Sequence, residues 1–177
     1  MKKISKLLFL LCTVAALTLS SCNRNKTGNS DREQKNELQT EEQIKACVTK
    51  IYDYAFGTEK TTDEIDKEFF TPDFYALQKS VLEKQTKDQT LYIDHDHWVM
   101  GQDCHNPSYE IVKVEDIQAK SAKVYINVKA FDDQITPTLV RLTLELIGNE
   151  WKIKDIEEEY EGVFHSHKSY YNEVLAN

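Results

Sequence analysis

Residues 140–154, VRLTLELIGNEWKIK, decide the fold. Val140, Leu142, Leu144 and Leu146 alternate with Arg141, Thr143 and Glu145, and after Gly148-Asn149 the alternation resumes as Trp151 and Ile153 between Lys152 and Lys154. A period of two is a strand with one buried face, and Gly-Asn between two such runs is the signature of a tight hairpin. With those two residues as the loop, Ile147 faces Glu150, Leu146 faces Trp151 and Leu144 faces Ile153, so the large apolar side chains share one face. Upstream, Val124, Ile126, Val128 and Ala130 alternate with Lys123, Tyr125, Asn127 and Lys129, and Tyr109 to Gln118 forms a less regular strand. The expectation is a four-stranded antiparallel meander with one dry face.

A dry face needs a cover, and the patterns upstream supply it. Ile44, Cys47, Val48, Ile51, Tyr52 and Ala55 fall on one helical stripe, opened by a Thr40/Gln43 capping box and closed at Gly57. A short second helix starts at Thr61 or Thr62 with Ile65, Phe69 and Phe70 on its apolar side. Thr71-Pro72-Asp73 then reads as N-cap, N1 proline and acidic first turn of a third helix carrying Phe74, Leu77, Val81 and Leu82.

Residues 1–21 combine Lys2, Lys3 and Lys6 with an apolar run from Leu7 to Leu19, too short to span a bilayer, and so read as an export signal. Leu19-Ser20-Ser21-Cys22 resembles the bacterial lipobox, which implies acylation of Cys22 and a lipid anchor, and the lack of an acidic run directly after Cys22 favours the periplasmic side. Residues 22–39 are polar and form a tether, 40–160 form the domain, and 161–177 form a C-terminal tail in which Ser166 caps a short helix. Of 22 basic residues, 19 remain without the three leader lysines, against 30 acidic ones, giving −11. That charge argues against nucleic acid as a partner. Of the four cysteines only Cys47 and Cys104 belong to the domain, where export permits a disulfide or two free thiols.

Three helices followed by a four-stranded sheet ending in Trp151-Lys-Ile-Lys-Asp-Ile156 resemble the nuclear transport factor 2-like, or cystatin-like, α+β cone. Gly101-Gln102-Asp103, after an acidic loop and before the first long strand, resembles an element of small bacterial lipoproteins of unassigned function. The resemblance covers residues 40–157 and implies N-terminal helices packed on a curved four-stranded sheet, with a cavity at the open end. Some relatives are enzymes with acid and base residues inside the cone, while many only bind ligands or proteins, so fold alone fixes no activity.

The loop from Thr90 to Ser108 concentrates unusual chemistry, and loops on a rigid scaffold are where function resides. Asp94, His95, His97, Trp98, Gln102 and Asp103 are the candidate binding residues. His-x-His on an extended segment suits Zn²⁺ or Cu²⁺, which makes His95, His97 and His105 the metal candidates. No extended metal motif accompanies them, so neither metal nor cofactor is assigned. An acid/base role would fall to Asp94, Asp103 or His97, but no catalytic residue is assigned, and Asp94, Asp96, Gln102 and Asp103 serve equally as turn and loop anchors. Tyr125 and Phe131, opposite the core set of their strand, would form an exposed patch, and the acidic run Glu157 to Glu161 reads as a solvated strand end. The expected function is a lipid-anchored cell-envelope protein with a non-catalytic domain that binds a small ligand or an envelope protein. The alternatives are an immunity-like inhibitor of a periplasmic cell-wall hydrolase and a cone-cavity acid/base enzyme.

Overall fold

The computed structural model describes residues 40–177, so the leader, Cys22 and the tether lie outside the described residues. Three helices come first: α1 Glu41–Gly57, α2 Thr62–Phe69 and α3 Pro72–Asp88. Each starts where its capping chemistry dictates. Thr40 and Gln43 form a capping box, Thr61 and Glu64 form a second, and the Thr71 side chain accepts the Phe74 N–H ahead of Pro72. Gln89 in left-handed conformation (φ 53°) ends α3. Among the described residues no helix is long and apolar enough to cross a membrane.

The sheet is antiparallel in sequence order: β1 Ser108–Glu115, β2 Ser121–Lys129, β3 Thr138–Ile147, β4 Glu150–Tyr160 and β5 Val163–Ser166, followed by α4 His167–Ala176. The β3–β4 register is the one the turn requires, with Leu144 opposite Ile153, Leu146 opposite Trp151 and Ile147 opposite Glu150. Gly148 takes the positive φ (63°) that the first turn position demands. Ala122, Val124, Ile126, Val128, Val140, Leu142, Leu144 and Ile153 form the dry face, covered by Ile44, Val48, Ile51 and Tyr52 of α1 and Phe74 and Val81 of α3. The chain between α2 and α3 is stitched to the sheet directly, since Thr71 N–H donates to Ile153 O at 2.8 Å.

Two expectations about architecture are corrected. The sheet has five strands, not four, and its helices are not all N-terminal, because the short helix expected after Ser166 forms as α4 and follows the sheet. Residues 161–177, expected as a tail, carry both extra elements. Glu161 (φ 51°) and Gly162 (φ 81°) both take left-handed backbone, which folds Val163 back onto Tyr160 as a second tight hairpin. A glutamate in that position is an unusual turn former, and four residues are too few to show a period. On the outer face Phe164 lies under the Arg141 guanidinium, 4.2 Å from the ring centre, and edge-on to Tyr125 at 5.8 Å. Arg141 holds Glu157 through two hydrogen bonds. Tyr125 is therefore buried and only Phe131 of that expected patch is exposed.

Of the two states left open for Cys47 and Cys104, the possible disulfide does not form, because both thiols are free. Cys47 shares a cleft with Asn149 and Trp151 at the β3–β4 turn. Cys104 precedes His105, whose N–H donates to Ala130 O at 2.9 Å, beyond the other end of β2. The two positions are separated by most of a nine-residue strand, roughly 25 Å, whereas a disulfide needs Cα atoms within about 7 Å.

Candidate functional site

The site begins with an irregularity in β4. Leu144 pairs with Ile153, but Thr143 pairs with Asp155, so Lys154 is an extra residue. Unbroken alternation from Trp151 and Ile153 would turn Asp155 and Glu157 to the helix-covered face. The bulge reverses this, so Ile156 lies opposite Leu142 and Glu158 opposite Val140, both partners fully buried. Glu158 thereby leaves the solvated acidic run and stands on the inner face, half-buried. Bulges are used in this way to re-aim a side chain.

Two other segments bring imidazoles to it. His167, the first residue of α4, is placed by Asp155, whose carboxylate accepts the Ser166 hydroxyl at 2.6 Å and the Lys168 N–H at 3.0 Å. His95 comes from the loop after α3. His95 Nε2 and His167 Nε2 lie 2.7 Å and 2.6 Å from the same oxygen, Oε1 of Glu158, and His95 Nδ1 lies 2.8 Å from Asp94 Oδ1. His167 Nδ1 is buried without a partner, so of the two imidazoles only His95 is backed by a carboxylate.

The electrostatics follow from that geometry. The Glu158 hydrogen bond, opposed by partial burial and reinforced by Asp94, raises His95 to about 9, so it is a cation at neutral pH. For Glu158 burial is the largest single influence and pushes the value up, but the bonds from His167 and His95 together outweigh it and hold the carboxyl well below its usual range. Two grooves meet at this cluster. One, of about 510 Å³, lies between β5 and α4 and is bounded by Glu158, His167, Tyr160, Ser169, Tyr170 and Glu173. The other, of about 200 Å³, runs past His95 and His167 beside Tyr92 and Ile93, with Tyr170 common to both.

The loop that carries His95 is pinned from below. Asp66, buried on α2, accepts from His97 Nε2–H at 2.7 Å and Trp98 Nε1–H at 2.8 Å, both at Oδ1. Asp96 accepts the Trp98 N–H and the Thr62 hydroxyl. His97 and Trp98 are 2 % exposed and pack on Phe70, with ring centres 5.2 and 5.7 Å away.

The six residues proposed from sequence separate in part. Asp94, His95, His97 and Gln102 line one cleft of about 550 Å³ on the α2 side, Asp94 and His95 also reach the Glu158 cluster, and His97 and Trp98 are held by Asp66. Asp103 is exposed. Of the three metal candidates only His95 joins a group of convergent ligands, with Glu158 and His167 as its partners. His97 is held by Asp66, and His105 sits against Ala130 and Phe131 near the β1–β2 edge. Glu158 and His167 were missed as site residues. One signal was present: the apolar positions Ile153 and Ile156 are three apart, which breaks the period of two and marks a bulge. Nothing matches this chain among protein-family models, curated proteins or solved structures.

Proposed function

We propose that this is a lipid-anchored cell-envelope protein whose domain, a cone of the nuclear transport factor 2-like kind, binds a small ligand in the groove at His95, Glu158 and His167 without transforming it. The observation that carries the reading is the convergence of those three polar side chains, from a loop, a strand and a helix, at the meeting of two tyrosine-bordered grooves. A concave, largely apolar surface with a few convergent polar groups is what a ligand site requires. The membrane anchor rests on the lipobox at Cys22.

Tyr52, Phe74, Ile126, Leu142 and Ile153 are buried in one core on the inner face of the sheet, which supports placing the ligand in the surface grooves beside Glu158. Among the described residues the buried Asp66–His97 pair is an arrangement that an acid/base enzyme could use. Its shared oxygen also holds the Trp98 indole, which suits a structural bond better than a group free to exchange a proton with substrate.

Fragment screening by amide NMR tests the binding role. Ligands should perturb amides at Tyr160, Ser169 and Tyr170, and a library that binds nowhere, or only elsewhere, would remove this groove as the site. Detergent-phase partition of Cys22→Ser tests the anchor, with release into the aqueous phase expected.

A further inference from the structure

We infer that His95 Nε2, His167 Nε2 and a Glu158 carboxylate oxygen form a three-ligand Zn²⁺ site whose fourth position opens into the groove. This deepens the binding role proposed above and rests on it. The three donor atoms lie within 4.8 Å of one another. Tetrahedral zinc with bonds of about 2.0–2.1 Å sets its ligand atoms about 3.3 Å apart. The two hydrogen-bonded sides, at 2.7 and 2.6 Å, would each need to widen by about 0.6–0.7 Å, and the nitrogen–nitrogen side, within 4.8 Å, would settle to the same length. His95 sits on a loop and Glu158 on a rotatable side chain, so that expansion needs no movement of the sheet.

The donor set is specific in kind. Two imidazoles and one carboxylate suit zinc better than calcium or magnesium, which prefer oxygen, and three protein ligands leave one coordination position for solvent or a bound group. Support behind one imidazole points the same way. Asp94 Oδ1 lies 2.8 Å from His95 Nδ1, which would keep the Nδ1 proton in place while the metal displaces the Nε2 proton, the usual carboxylate–histidine–metal arrangement. The open position would face the groove, because Glu158 and His167 both border it. A ligand carrying a carboxylate or other anionic donor could then bind zinc while its body contacts Tyr160 and Tyr170.

Zn²⁺ itself is the probe. The full chain, purified in mild detergent without a histidine tag and stripped with EDTA, should take up one equivalent in equilibrium dialysis. Competition with a chromophoric chelator should show affinity falling at least tenfold in His95→Ala, His167→Ala and Glu158→Gln. Asp94→Asn should fall 10- to 100-fold. His105→Ala, near the far edge of the sheet, should stay within twofold. Co²⁺ in place of Zn²⁺ should give tetrahedral visible bands that shift when azide is added, which reports the open position without any substitution. Uptake below a tenth of an equivalent, affinity insensitive to the paired change of His95 and His167, or Co²⁺ bands blind to azide would overturn the proposal. The fragment screen is run on EDTA-treated protein, so fragments that still perturb Tyr160 and Tyr170 leave the groove standing while the metal falls.

Discussion

Replacing Asp66 should show that the loop under the site is held by one carboxylate oxygen. Asp66 is 2 % exposed, and its Oδ1 accepts from both His97 and Trp98, each itself 2 % exposed. Asp66→Ala removes two hydrogen bonds and leaves two buried donors unpaired, and each such donor costs about 1–3 kcal/mol. Little rearrangement is open to the rings, since both pack against Phe70. The expected loss is about 3–5 kcal/mol, a large fraction of the 5–15 kcal/mol typical of a domain. Asp66→Asn keeps one carbonyl oxygen able to accept both donors, and its amide nitrogen can turn to the cleft that Asp66 borders, so its loss should be about 1–2 kcal/mol. Urea unfolding followed by circular dichroism reads both, with the midpoint falling at constant slope. Asp66→Ala within 1 kcal/mol of wild type, or Asp66→Asn as damaging as Asp66→Ala, would refute the shared-oxygen account.

Stability of EDTA-treated protein should be greatest between about pH 4.5 and 6.5, the ordinary values of Glu158 and His95. The raised His95 contributes below 6.5 and is lost as pH climbs through about 9, while the depressed Glu158 contributes above 4.5 and is lost as pH falls. The His95 shift is equivalent to about 3 kcal/mol, or about 2 after allowance for its 30 % side-chain exposure, and Glu158→Gln should flatten both limbs of the unfolding profile. Peptide mapping after brief treatment with a thiol reagent should find Cys104 modified and Cys47 largely spared, because burial raises the Cys47 thiol and Cys104 is exposed. Dithiothreitol should leave Tm unchanged, whereas a fall of several degrees would reinstate the disulfide. Leu144, fully buried opposite Ile153, should tolerate Ala at a cost of about 2–5 kcal/mol but not Asp, and a cooperative melt of Leu144→Asp would show the face assigned wrongly.

Local chemistry was legible in the sequence wherever one segment carried the whole signal. Thr40 with Gln43, Thr71 before Pro72, and Gly148 between two alternating runs each determine a boundary from a few neighbouring residues, and the structure places the caps and turn there. The strand β5 was not legible for the complementary reason. Four residues entered through a Glu161-Gly162 turn show no period of their own, and Phe164 is stabilised by Arg141 and Tyr125, which come from β3 and β2.

The candidate site lies between those extremes. His95 stood out by composition, but its partners are 63 and 72 positions away, and sequence distance of that order carries no contact information without a register. What sets the register is Lys154. Without an extra residue there, the alternation begun at Trp151 would carry Ile156 out to solvent and bring Asp155 into the core, so the burial of Ile156 opposite Leu142 favours the bulge. Glu158 follows Ile156 by two positions and inherits its face, opposite Val140. The carboxylate of the site is therefore positioned by the hydrophobic demand of an isoleucine. The same chain turn that makes β5 then brings His167 back to it, which is why a residue that reads as one acid in an acidic run becomes the centre of a cluster only after the sheet has formed.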